Sequence, residues 1–132
     1  MNYPESAILA GLISAINAKL PTRTIYTVPP QNAVYPYILI NQTDMQEVGP
    51  KAGKFEYRFE PLIQVIYKDI SSISPLLTDM QEIHEIVKNS QDITVSGYTV
   101  IEMQLINTNR TTELYDWGRL EIGLIRTRID IY

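Results

Sequence analysis

Residues 55–68 read FEYRFEPLIQVIYK. Odd positions carry Phe55, Tyr57, Phe59, Pro61, Ile63, Val65 and Tyr67, and even positions carry Glu56, Arg58, Glu60, Leu62, Gln64, Ile66 and Lys68. An unbroken period of two marks a β-strand with one face toward a core. At about 3.3 Å per residue the strand spans roughly 40 Å. That exceeds what a compact domain needs, so its first half is expected to leave the body as an arm. Pro61 has no N–H to give to a ladder, which predicts an edge position or a bulge.

Upstream, residues 44–54 are polar, contain Gly49 and Gly53 and follow no period, so they read as the long loop of a hairpin whose other strand is 37–42. Before that strand stands IYTVPPQNAVYPYILI, residues 25–40. Pro29-Pro30 ends a short strand at 24–28, and Pro36 holds Tyr35 extended, so the chain re-enters the sheet at Tyr37 without a helical detour. At the N-terminus, Ile8, Leu9, Leu12, Ile13, Ile16 and Leu20 fall at i, i+3, i+4 spacing, the apolar stripe of an amphipathic helix. Asn2 with Glu5 reads as its capping pair, and Pro21 stops it near Leu20.

Downstream, Ser74 reads as an N-cap and Pro75 as the first residue of a second helix, with Leu76, Leu77, Met80, Ile83 and Val87 buried. Residues 89–97 read as a loop, and 98–107 and 114–132 as two strands around a polar loop at 108–113. In the last strand the apolar residues sit on even positions at Leu120, Ile122 and Leu124, then on odd ones at Ile125, Ile129 and Ile131. That switch predicts a β-bulge at Gly123. The order is helix, three strands, helix, two strands. It predicts one α+β domain over 1–132: an antiparallel sheet of about five strands, two helices on one face, and a long projecting β-hairpin.

Composition narrows the chemistry. The chain has 132 residues, 45% of them hydrophobic and 20% charged, which is enough for one core without staples. There is no cysteine, so disulfides, thiolate metal sites and cysteine nucleophiles are excluded. The first twenty residues have no basic stretch and no continuous apolar run, so folding in a cytoplasm is expected, with no membrane partner. Fifteen acids against 11 bases give a net charge of −4, which supplies no electrostatic footprint for nucleic acid. Asp69, Asp79, Glu82, Glu85 and Asp92 surround the second helix and read as a solvated face.

His84 is the only histidine, and a zinc site built almost wholly from carboxylates is disfavoured. Its reading is structural or surface. No serine stands in a G-x-S-x-G frame. Residues 49–54, GPKAGK, resemble a phosphate-binding loop, but the glycine spacing is one short, Phe55 replaces the hydroxyl residue, and a strand follows instead of a helix. No catalytic, cofactor or metal site is expected, and the chain does not read as an enzyme. Nine tyrosines and Trp117, interleaved with Arg110 and Arg119, fit sheet packing or a protein interface better than base stacking.

The spelling of 25–40, with Pro30-Gln31 and Pro36-Tyr37, followed by a strand of the type of residues 59–67, resembles the tail-completion or tail-terminator proteins of long-tailed bacteriophages. The resemblance covers the whole chain in order and length. It implies a structural protein of the virion tail or neck, assembled in the host cytoplasm. It further implies a ring, usually of six copies, that caps the tail tube and ends its polymerisation. Its partners would be further copies of itself, the tail tube protein and a head-side connector, with DNA only as cargo through the lumen. A neighbouring head-closure or adaptor ring, or a small-molecule-binding α+β domain, are the alternatives. The expected contact residues are Asp44, Glu47, Lys51 and Lys54 in the loop with Glu56 and Arg58 at the strand base, and a second set, Arg110, Glu113 and Arg119. Ordinary solvated surface is the competing reading for all of them.

Overall fold

In the computed structural model, which describes residues 4–51, 54–89 and 93–132, the chain runs α1 (Pro4–Lys19), β1 (Thr24–Tyr26), β2 (Tyr37–Lys51), β3 (Lys54–Lys68), α2 (Ser74–Lys88), β4 (Val100–Tyr115) and β5 (Gly118–Ile131). Of residues 42–44, 49–51, 54 and 55 the backbone alone is described. The five strands form one sheet in the order β1-β2-β3-β5-β4. The α+β class is as the sequence predicts. The sheet, however, is mixed: β1 pairs parallel to β2, through Thr24↔Tyr37 and Tyr26↔Leu39, and all other pairs are antiparallel. Residues 27–36 make that possible, because they pass over the sheet and return the chain in the same direction. The Tyr35–Pro36 peptide is cis.

The period of two in β3 sorts the molecule into two sides. Odd residues Phe59, Ile63, Val65 and Tyr67 face the helices and join Ile38, Ile40, Ile125, Ile129 and Ile131 beneath Ile8, Leu12, Ile16, Leu76 and Ile83. Each such side chain, fully buried, contributes about 1.5–3 kcal/mol. On the opposite face Tyr37, Leu39, Ile66, Leu120 and Ile122 form a smaller cluster, roofed by Ala33 and Tyr35 of the crossover. This second cluster explains the change of phase in β5. The β3–β5 register is unbroken from Lys68↔Leu120 to Tyr57↔Ile131, so there is no bulge at Gly123. Leu120, Ile122 and Leu124 face one cluster while Ile125, Ile129 and Ile131 face the other.

Other expectations are corrected by pairing. Residues 44–51, expected as loop, continue β2, which pairs with β3 out to Lys51↔Lys54 with register shifts at Gln42/Met45 and Glu47/Gly49. Residues 108–113, also expected as loop, lie within β4, and the turn into β5 falls at Asp116–Trp117. Their polar text misled because β4 is an edge strand, exposed along 106–115 except for its bonds to β5. β3 is central, so Pro61 is not at an edge. β2 shifts register just beyond its Gln42↔Pro61 pair, and on the other side Pro61 falls in the gap between the Phe59↔Ile129 and Leu62↔Arg126 pairs, where its carbonyl accepts a bond from buried Thr127 Oγ1 at 3.2 Å. Helix α2 starts one residue early: Ile73 is the N-cap, and the Ser74 N–H donates to Ser72 Oγ at 3.2 Å. The Asn2–Glu5 capping pair and Asp92 fall partly or wholly outside the described residues.

Asp79 is 3% exposed, not part of a solvated face. It accepts from Tyr67 Oη at 2.6 Å and from Arg23 Nε at 2.9 Å, while Arg23 Nη2 donates to Tyr67 Oη at 2.9 Å. This triad joins α2, β3 and the α1–β1 link. Burial first, and then the Asp79 carboxylate, push the Tyr67 phenol up to about 12. Two glycines allow close approach. A Cβ on Gly11 of α1 would lie 2.5 Å from the Thr94 carbonyl oxygen, and one on Gly123 would lie 2.6 Å from Met80 Sδ.

These contacts give two predictions, both read from denaturant unfolding. Gly11→Ala is expected to lose about 1–3 kcal/mol despite alanine's better helix propensity, because backbone cannot yield. Gly123→Ala is expected to lose less than Gly11→Ala, because the Met80 side chain can swing away; equal losses would contradict the assigned contacts. For the triad, Asp79→Ala leaves two donors without an acceptor and should cost about 3 kcal/mol. Tyr67→Phe should cost about 1 kcal/mol near neutrality. Because folding raises the Tyr67 pKa above its ordinary value of 10.0, its contribution is whole below pH 10 and fades as pH rises toward 12. The gap between wild type and Tyr67→Phe should therefore shrink across that window.

Candidate assembly surface

Open depressions on the described surface include three that gather no catalytic groups. One is lined by Ser6, Ala10, Gly11, Ser14, Thr94 and Ser96, another by Ala15, Ala18, Lys19, Glu85, Ile86 and Asn89, and a third by Leu77, Met80, Thr108, Asn109 and Arg110. Among the described residues no three His, Asp or Glu side chains are grouped to hold a metal ion, and no helix is long and apolar enough to cross a membrane. His84 is half-buried on α2.

The end of the sheet where β4 turns into β5 is the most distinctive part of the surface. Tyr115 and Trp117 stack with ring centroids 4.8 Å apart and planes 6° from parallel. Asp116 and Trp117 form the two-residue turn, closed by the Tyr115↔Gly118 pair, that brings the rings together. Lys68, at the end of β3, places its ammonium 5.2 Å from the Trp117 ring and 5.9 Å from that of Tyr35. Tyr35 in turn tilts against Tyr37, which meets Tyr26 edge-on at 5.5 Å. A cation over aromatic faces is held by their quadrupoles. The outer members remain uncovered: Trp117 is 54% exposed and Tyr115 47%. Tyr115 donates to Glu113 at 2.8 Å, which raises its pKa, and burial among Tyr35 and Tyr26 raises that of Tyr37.

The expected contact residues are spread along the sheet. Asp44 and Lys51 lie in β2 and Lys54 in β3, with side chains outside those described. Glu47 is exposed on β2 opposite Tyr57, and Glu56 lies opposite Gly49. Arg58 is engaged within the chain: its Nε donates to buried Asp130 Oδ1 at 3.1 Å across the β3–β5 ladder, which raises its pKa. Arg119 binds the Ile70 carbonyl and sits 3.1 Å from Glu121, so it ties the end of β3 to the start of β5. Arg110 is exposed on β4 and makes no ion pair among the described residues. Of the two sets, Glu113 and Arg119 lie at this end of the sheet, and Glu113 alone bonds to an aromatic there.

The aromatic end was only partly readable. Tyr115-Asp116-Trp117 is conspicuous as text, whereas its meeting with Lys68 and Tyr35 requires the sheet register. Asp79 could have been found: it lies three residues after Leu76 and four before Ile83, squarely on the buried stripe of α2. Arg23 and Tyr67 carry no comparable local signal.

No family model and no curated protein matches the sequence. The fold does have a counterpart among solved structures. A chain in the virion of a native gene transfer agent (GTA) particle superposes with a TM-score of 0.64, over 98% of this chain and 99% of that one. The two are 16% identical, and what they share is the fold, end to end.

Proposed function

We propose that the chain is a structural virion protein, without enzymatic activity, that assembles as a ring of six copies at the head-side end of a phage-type tail. In this role it caps the tail tube, ends tube polymerisation and joins the tail to the head-side connector. The observation that carries the reading is the likeness to a chain of the gene transfer agent virion over 98% of this chain and 99% of that one. The spelling of residues 25–40 supports it independently. So does the exposed aromatic turn, since Trp, Tyr and Arg are the side chains on which protein interfaces concentrate their energy.

The parts then have assignments. The stacked Tyr115–Trp117 turn is a docking point for tube or connector protein. Beyond Tyr57 the β2–β3 ladder has no third strand beside it, so this pair serves as an arm toward a neighbouring copy or the lumen. A net charge of −4 per copy leaves DNA passing through the lumen unheld.

The purified protein is expected to show the mass of a six-copy ring by light scattering, and ring particles by negative-stain microscopy. A strict monomer at high concentration, with no binding to tube protein, would overturn the proposal. Removing the gene from its virus should give over-long tails; normal-length tails that fail to join heads would indicate a head-closure or adaptor ring instead. Trp117→Ala should leave the unfolding midpoint nearly unchanged while weakening assembly at least tenfold.

A further inference from the structure

The least protected part of the molecule is the outer edge of β4. In the sheet order β4 is terminal, and only β5 pairs with it. Its first half is interrupted by register shifts at Val100/Glu102 and Leu105/Asn107. From Asn107 to Tyr115 the ladder is regular, and every side chain is exposed. That stretch, NTNRTTELY, has no proline or lysine to blunt an open edge, and its charges are one of each sign, Arg110 and Glu113. Exposed apolar side chains stand at both ends of it, Ile106 at 49% and Leu114 at 77%.

The other side of the same sheet is open too. β1 covers β2 only at Tyr37–Leu39, which leaves the outer edge of β1 and the edge of β2 beyond Ile40 without a strand beside them. On β2 this edge also exposes an apolar side chain, Val48 at 46%. Strand polarity makes the two edges compatible. β1 and β2 run one way and β4 the other, so a second copy set beside β4 in continuation of the sheet meets it antiparallel, whether through β1 or β2. Opposite charges are available as well, with Arg110 exposed on β4 and Glu47 on β2, both on the helix side of the sheet.

We infer that neighbouring copies join by sheet extension: residues 107–115 of one copy pair antiparallel with the β1–β2 edge of the next. Such a contact uses different surfaces on its two sides, and repeated by rotation it closes into a ring rather than a two-fold dimer. The inference deepens the proposed ring and rests on it.

The chain has no native cysteine, so introduced thiols report cleanly. The double variants Thr111→Cys/Thr24→Cys, both on the outer face, and Thr112→Cys/Glu47→Cys, both on the helix side, are treated with a short thiol–thiol cross-linker, alongside each single variant, and the mass of every untreated variant is measured. Positions 24 and 111 lie on opposite edges of the sheet, too far apart to be joined within one copy. The expected result is a ladder of covalent multimers from at least one double variant and none from the single variants. Self-cross-linking of Thr111→Cys or Thr112→Cys alone would overturn the inference in favour of two-fold β4–β4 pairing. No cross-linking in samples that retain ring mass would overturn sheet extension and leave the ring standing. Monomers throughout would overturn both.

Discussion

The hydroxyl of Tyr67, the carboxylate of Asp79 and the guanidinium of Arg23 meet where three parts of the chain must be held in fixed relation. Hydrophobic burial brings α2 onto the sheet, but it is non-directional and sets neither the rotation of the helix nor its height above β3. A short bond between a phenol and a buried carboxylate sets both. The Arg23 contact then fixes where the chain leaves α1 and enters β1, and with it the start of the crossover that roofs the other side of the sheet. A buried ion pair adds little net stability relative to an apolar substitute, yet losing one partner is costly. Its contribution here is to specify one arrangement.

How far the fold was legible depended on whether local pattern and tertiary burial agreed. In β3 they agree, because a central strand under two helices needs a strict period of two. The stripe of α1 and its stop before Pro21 were legible for the same reason. The pattern failed where a strand buries little. The asparagines and threonines of 107–112 look like loop because that part of β4 faces solvent on both sides. In β5 the pattern was read correctly but explained wrongly. Its apolar residues serve two clusters on opposite faces, and one sequence cannot distinguish that from a bulge. The parallel β1–β2 pair was likewise invisible, since polarity depends on where residues 27–36 travel.

The candidate surface was legible in composition rather than in place. Aromatic residues near the β4–β5 turn could be singled out, but their contact with Lys68 and Tyr35 depends on the register of three strands. Arg58 and Arg119 show the reverse case, because each reads as a free surface cation and each is engaged within the chain. A shared fold does not carry function by itself. The particular edges and the aromatic end, which belong to this sequence, therefore supply what the shared architecture alone does not.

The outer face of the sheet is divided by the crossover. Near Tyr37 and Ile122 it is apolar and roofed by residues 33–35, whereas at the far end it carries Arg58 with Asp130 and Arg128 with Glu102 and Gln104. Contacts made through these two ends answer to salt in opposite senses. Sulfate or phosphate strengthens association through the apolar end by being excluded from the surface. Simple salt screens charges within about 10 Å at 0.1 M and weakens any association that engages the ionic end. One face of one sheet thus joins an apolar end to an ionic one, on which salt exclusion and charge screening act in opposite senses.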